Sequence, residues 1–263
     1  MTGILDHTMI RVSDFEESID WYETHLDYEE KDRHEGDGFS IAYLGPQNAG
    51  DHEALLEITS NEGQDEVDIG DAWGHIAVRV RDLEEAYEGL MEGGVDDYRD
   101  PESCDYNYAF VKDPDGHEVE MIESDTGSPW SIDHTMMRVG DADESIGFWT
   151  RKFEYQEARS GRWEADTFAN FFLEPSHAPE EAMSVELTYN YDGRSYTDAD
   201  GWGHLCVRLD DLQDGWERLM VREAPDYRDP ASCDDMYAFT TDQDGHEIEL
   251  ITRDPDAESL FPF

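Results

Sequence analysis

The stretches DAWGHIAVRVRDL (71–83) and DGWGHLCVRLDDL (200–212) decide how this chain is read, because each sets a Gly-His pair at the mouth of an apolar, alternating strand. A histidine leading a strand is more often a satisfied structural residue than a ligand, so the recurrence has to be weighed against the rest of the chain. Longer blocks recur with it. DHTMIRVSDFEESIDWY (6–22) returns as DHTMMRVGDADESIGFW (133–149), and ALLEITSNEG (54–63) as MSVELTYNYDG (183–193). YRDPESCDYNYAFVKDPDGHEVEMI (98–122) returns as YRDPASCDDMYAFTTDQDGHEIELI (227–251). The offset is 127 residues at the first block and 129 at the later ones, which divides the chain into homologous halves, 1–126 and 127–263. The boundary is expected in the polar, proline-containing SDTGSPWS at 124–131.

A weaker repeat lies inside each half. His7, Arg11 and Asp14 share the pattern H-x3-R-V-x-D with His75, Arg79 and Asp82 and with His134, Arg138 and Asp141. His204, Arg208 and Asp211 repeat it with Leu209 in place of the valine. Each time a strand is followed by an acidic helix start, where aspartate suits the N-cap and glutamate the first turn. Phe15, Ile19, Tyr22 and Leu26 fall at helical spacing and are expected in the core. Short apolar runs follow each helix, ending in a strand that carries one glutamate: Glu57, Glu120, Glu186 or Glu249. The chain therefore reads as α+β, four modules of strand, helix and several strands, each offering one histidine from its first strand and one glutamate from its last.

Composition narrows the partners. There are 67 acidic residues against 18 basic ones, a formal net charge of −49, and only Lys31, Lys112 and Lys152 are lysines. Such a surface repels phosphate backbones and anionic lipid, so nucleic acid and membrane partners are not expected. Disorder is the usual reading of so acidic a chain, but 38% hydrophobic and 12% aromatic residues in clear strand and helix patterns argue for a folded one. An acidic, lysine-poor surface that stays hydrated in concentrated salt points to a halophilic host. Cys104, Cys206 and Cys233 form neither a disulfide framework nor a CxxC motif, and no signal or membrane-spanning run is evident, which implies a reduced, cytoplasmic protein.

Ten histidines provide an internal control. His25, His34, His52 and His177 lack a counterpart in the other half and read as exposed and unimportant. The pair His117/His246 lies in the turn DPDGHE or DQDGHE, where a turn or supporting role is expected. The strand-leading His7, His75, His134 and His204 remain. Period-two geometry puts His7, Met9 and Arg11 on one strand face and Glu57, Thr59 and Asn61 on one face of theirs. The four glutamates sit inside otherwise apolar runs, and a buried lone carboxylate is strongly disfavoured unless paired or bound to metal. Simple His–Glu pairing or a solvated sheet face would require four modules to make the same costly choice. Two imidazoles and two carboxylates neutralise a divalent cation and leave two octahedral positions for water or substrate. Eight such ligands give two sites.

HTMIRV and HTMMRV, ELTYN, WGH and DPDGHEVEMIE closely resemble the motifs of the glyoxalase I (lactoylglutathione lyase) family of the vicinal oxygen chelate superfamily, over nearly the whole chain and once per half. The resemblance implies two tandem domains built from four βαβββ modules, with the family's homodimer fused into one monomeric chain. It implies isomerisation of the hemithioacetal of methylglyoxal and a small thiol to an S-lactoyl thioester. The absence of long insertions looks like the nickel- or cobalt-activated form, with zinc or manganese the other candidates for two divalent ions per chain. Carried over by motif, one site is His7, Glu57, His204 and Glu249, and the other His75, Glu120, His134 and Glu186. If the halves close on themselves, His7, Glu57, His75 and Glu120 group instead; sequence leaves both open, and the family favours the crossed set. Glu249 and Glu120 correspond to the mobile base, with Glu57 and Glu186 serving the opposite face.

Arg11 with Asn61, and Arg138 with Asn190, match family residues that hold the γ-glutamyl end of glutathione; rim salt bridges are the bland alternative for the arginines. No lysine in PESCDYNYAF or PASCDDMYAF matches those that hold the glycyl carboxylate in some members. Arg99 and Arg228 lie nearby in the turn YRDP. A carrier without glycine, such as γ-glutamylcysteine, would make the missing lysines harmless. An extradiol ring-cleaving dioxygenase needs only two His and one carboxylate, and a non-catalytic binding protein of the same fold needs none of the eight ligands, so both rank below the lyase.

Overall fold

The computed structural model describes residues 3–162, 167–197 and 199–253. The first module runs β1 (Ile4–Arg11), α1 (Phe15–Leu26), β2 (Tyr28–Glu35), β3 (Phe39–Pro46) and β4 (Leu55–Asn61). The second runs β5 (Trp73–Val80), α2 (Leu83–Glu92), β6 (Tyr108–Lys112) and β7 (Glu118–Glu123). The third runs β8 (Ile132–Val139), α3 (Ala142–Lys152), β9 (Tyr155–Arg162), β10 (Phe168–Pro175) and β11 (Ser184–Asn190). The fourth runs β12 (Trp202–Arg208), α4 (Leu212–Val221), β13 (Tyr237–Thr241) and β14 (Glu247–Ile251). The strand that would follow α2 and α4 shrinks to single bridges, Arg99 with Phe110 and Arg228 with Phe239, so only the first and third modules carry three full strands after the helix.

Asp14, Asp82, Asp141 and Asp211, the last residue of each H-x3-R-V-x-D pattern, are all extended N-caps. Each accepts the backbone N–H three residues on, at Glu17, Glu85, Glu144 and Asp214. That pairing uses one of the orphan donors of each first turn. The stripe on α1 behaves as its spacing requires: Ile19, Tyr22 and Leu26 are buried and Phe15 packs partly buried against the same core.

The strands form two seven-stranded sheets, in the orders β13-β14-β12-β1-β4-β3-β2 and β6-β7-β5-β8-β11-β10-β9. Each sheet is therefore made of one module from each half of the sequence. The leading strands of the two modules meet antiparallel at its centre, β1 with β12 and β5 with β8. Each leading strand pairs on its other side, in parallel, with the closing strand of its own module. Four neighbouring strands thus run glutamate strand, histidine strand, histidine strand, glutamate strand. The helices and the larger apolar cluster lie on one side of the sheets, with residues such as Ile10, Leu56, Val78, Met137 and Leu205. A smaller cluster of Ile41, Tyr43, Leu55, Cys206 and Ile251 shares the other side of the first sheet with the ligand candidates.

Candidate metal centres

The topology decides the question the sequence left open: ligand atoms of His7, Glu57, His204 and Glu249 converge, as do those of His75, Glu120, His134 and Glu186, each set within 4.8 Å. All eight side chains are buried. In the first centre Nε2 of His7 lies 3.0 Å from Glu57 and 3.2 Å from Glu249, and Nε2 of His204 lies 3.6 and 3.4 Å from the same carboxylates. In the second, His134 lies 3.1 Å from Glu120 and 2.9 Å from Glu186, and His75 lies 3.2 and 3.6 Å from them. The paired Nε2 atoms are 3.1 Å apart in the first centre and 3.3 Å apart in the second. Donors about 2.1 Å from a divalent ion sit about 3.0–3.4 Å from one another, octahedral to tetrahedral, so these spacings fit a shared ion.

Charge within the centres tells the same story. Burial raises the Glu120 carboxyl, yet the His75 and His134 imidazoles hold it down at about 2. Burial lowers His204, yet the Glu57 and Glu249 carboxylates carry it up to about 9. Glu57 and Glu186 are likewise held low against burial by the histidines beside them. The buried glutamates thus favour positive charge at each centre, which a bound cation would also supply.

The two glutamates of each centre are not equivalent. Thr59 Oγ1 donates to Glu57 at 3.0 Å and Thr188 Oγ1 to Glu186 at 3.2 Å. Two residues beyond Glu120 and Glu249 the chain has Ile122 and Ile251, which offer no hydroxyl. An aromatic edge walls each histidine: Tyr43 on His7, Phe239 on His204, Phe110 on His75 and Phe172 on His134, with centroids 5.1–5.4 Å apart.

Gly74 and Gly203 answer why Gly-His recurs. At Gly74 the strand register slips, Trp73 facing Met137 and His75 facing Met136, and a Cβ would meet the Met136 methyl at 2.2 Å. At Gly203 it would meet the Met9 methyl at 2.1 Å. The glycine leaves room for a methionine side chain of the facing strand, Met136 or Met9, beside the inward-turned histidine.

Arg11 and Arg138 make no rim salt bridge among the described residues. Arg11 donates to the carbonyls of Asp200 and Trp202, and Arg138 to those of Asp71 and Trp73. Arg11 and Asn61 line one open cleft of about 680 Å³ with Gln64, Asp65, Glu66 and Asp200. Asn190 donates to the Tyr196 hydroxyl at 2.6 Å. Arg99 and Arg228 are more than turn residues: their guanidinium groups stack 4.5 Å over Phe110 and 4.4 Å over Phe239, the rings against His75 and His204.

His117 and His246 join neither centre. Nδ1 of each meets its own turn aspartate, Asp113 at 2.9 Å and Asp242 at 2.8 Å, and Nε2 of His117 reaches the Gly201 carbonyl at 3.0 Å. Gly116 and Gly245, both at φ +96°, supply the left-handed residue of these turns. Of the unmatched histidines, His52 and His177 are exposed. His25 and His34 are half-buried, because aromatic neighbours cover them: Trp21 at 5.4 Å and Phe39 at 5.8 Å. Cys104, Cys206 and Cys233 are free and buried. No helix of the described residues is long and apolar enough to cross a membrane.

Sequence reasoning missed Asp6 and Asp133, whose carboxylates lie 3.0 Å and 2.8 Å from Nδ1 of His7 and His134. The recurring Asp-His of both halves was the available signal.

A model of the Glyoxalase/Bleomycin resistance protein/Dioxygenase superfamily matches residues 4–121 and again 131–250. A lactoylglutathione lyase of Arabidopsis thaliana is 29% identical over 224 residues, 82% of this chain and 77% of its own length. The lactoylglutathione lyase of Neisseria meningitidis is 37% identical over 127 residues, covering 46% of this chain and 91% of that protein. The crystal structure of glyoxalase I from Zea mays superposes with a TM-score of 0.81 at 23% identity, covering 95% of this chain and 92% of that one. Two matched regions spanning most of the chain place it in a family: it belongs to the Glyoxalase/Bleomycin resistance protein/Dioxygenase superfamily and carries that domain twice.

Proposed function

We propose that this chain is a glyoxalase I-type, metal-dependent lyase. It isomerises the hemithioacetal of methylglyoxal and a small thiol, glutathione or γ-glutamylcysteine, to the S-lactoyl thioester, and so detoxifies methylglyoxal. The carrying observation is the pair of buried two-histidine, two-glutamate sets at ligand spacing. A divalent ion held there would stabilise negative charge developing on the two adjacent substrate oxygens. The untethered Glu249 and Glu120 are suited to take the C1 proton and return it at C2, while Thr-tethered Glu57 and Glu186 stay in place. The full fourth ligand in both centres counts against a dioxygenase, and eight converging ligands count against a mere binding protein.

Arg11 and Asn61 each stand four residues beyond a ligand on neighbouring parallel strands, roughly 13 Å along the sheet, a distance that suits the far end of a peptide thiol. Their cleft offers a guanidinium for a carboxylate and acids for an ammonium, the two charges of a γ-glutamyl head. Arg99 and Arg228 offer a second cation beside each centre. We infer nickel or cobalt as the metal from the compact halves, with zinc or manganese as alternates, and a monomeric, cytoplasmic protein adapted to high salt.

Metal content and thioester formation, measured on protein exchanged into nickel or cobalt in molar KCl, test this. The expected result is two ions per chain and turnover that chelation abolishes. Two bound ions without thioester from either carrier would sink the lyase reading, and saturation at one ion would sink the second site.

A further inference from the structure

Asp6 and Asp133 reach their histidines only because the strands are bulged. Between Leu5 and His7, β1 advances two residues while β12 advances one, Leu5 facing Val207 and His7 facing Cys206. In β8 the same slip falls at Asp133, with Ala77 opposite His134 and Val78 opposite Ile132. In a regular strand, neighbours point to opposite faces, so an aspartate could not bond the ring of the residue after it. An extra residue at a bulge re-aims the side chain, at the expense of ladder pairing.

Both carboxylates are clamped from behind. Asp6, 2% exposed, meets Arg253 at 2.7 Å and Arg208 at 3.4 Å. Asp133 meets Arg159 at 2.9 Å and Arg79 at 3.2 Å. The other histidine of each centre follows a glycine, and no hydrogen bond to Nδ1 of His75 or His204 is found among the described residues. His7 and His134 share their modules with Glu57 and Glu186, the glutamates tethered by threonine. Each centre is thus half braced, by one module, and half unbraced, by the other.

We propose that Asp6 and Asp133 are positioning residues for the metal, each accepting the Nδ1–H of the histidine that follows it. The bond fixes the tautomer that aims the Nε2 lone pair into the centre and gives every site one rigid nitrogen ligand. The braced His–Glu pair anchors the ion, and the unbraced pair, which includes Glu249 or Glu120, is left free to move. This rests on the metal-dependent reading above.

The test reads metal binding rather than turnover. In the full chain, Asp6→Asn is combined with Glu120→Gln and Glu186→Gln, and Asp133→Asn with Glu57→Gln and Glu249→Gln, so that each background keeps one centre. Chelator competition is expected to show metal affinity 10–100-fold weaker than in the matching background without the Asn change. Affinity within twofold, in variants whose circular dichroism is unchanged, would overturn the proposal. A second measurement needs no variant. In the cobalt-loaded unmodified protein, one paramagnetically shifted histidine N–H per centre should exchange slowly with solvent and its mate rapidly. Equal, rapid exchange of all four overturns the assignment. A chain that takes up no metal overturns both this inference and the lyase reading; one that binds as described but forms no thioester overturns only the latter.

Discussion

Thr59 against Ile251 is the difference on which the two glutamates of the first centre divide. One carboxylate has a hydroxyl two residues along its strand, and the other has an isoleucine. On the proposed function, crossed pairing would make both indispensable to one site. In a Glu120→Gln/Glu186→Gln background, adding either Glu57→Gln or Glu249→Gln should abolish thioester formation, a fall of at least 10³-fold in kcat/KM, about 4 kcal/mol. Substantial turnover in either triple variant would mean that the centres do not pair across the halves. Protonation offers another check. In the metal-free chain His204 is carried from 6.5 to about 9, so its contribution to stability is fully present below pH 6.5 and is lost as pH rises through 9. Glu120, lowered from 4.5 to about 2, contributes above pH 4.5 and loses that contribution as pH falls through 2. A metal needs the imidazoles neutral, so binding near pH 7.5 should release protons and tighten toward pH 9. Titration in buffers of different ionisation enthalpy measures that release; none at pH 7.5 would contradict it.

At the level of elements, the sequence was legible where periodicity and caps speak and silent where pairing does. The aspartate that closes each H-x3-R-V-x-D pattern caps a helix in all four modules, as its residue type and position imply. Asp14→Ala or Asp211→Ala should therefore cost about 1 kcal/mol, seen in chemical denaturation, without changing metal content. The candidate ligands were legible too, because a glutamate in SVELT or IELI breaks an apolar pattern that needs a reason. Which histidine meets which glutamate was not, since strand alternation fixes a face and says nothing about the neighbour across the sheet. The bulges at Asp6 and Asp133 escaped for a related reason. One extra residue leaves local composition unchanged and shows only when the opposite strand is in view. Arg99 and Arg228 read as turn residues because YRDP is a turn sequence; the stacking on Phe110 and Phe239 is a contact with a strand about ten residues away.

For the whole molecule, fold and charge pull in opposite directions. Two sheets each drawn from both halves tie residues far apart in sequence, so separating the halves would break both centres at once. Against that stands a net charge of −49 on 263 residues. Two cations are turned inward: buried Arg79 and half-buried Arg208 are occupied with the aspartates behind the histidines and with backbone carbonyls, which leaves fewer to offset the acidic exterior. In dilute buffer the screening length is about 30 Å at 0.01 M, comparable to the molecule, so the surface carboxylates repel one another across it. At 1 M it falls to about 3 Å, shorter than most separations between surface charges, and the repulsion that opposes the compact state largely disappears. Stability should therefore climb with KCl. Each kcal/mol regained raises the melting temperature of a chain this size by about 2–4 °C. Melting of the nickel-loaded protein from 0.01 to 2 M KCl, at fixed pH and free metal, is the measurement. A rise of several degrees is expected, most of it below 1 M, where screening changes fastest. A flat or falling melting temperature over that range would show that the acidic surface is not what limits the fold.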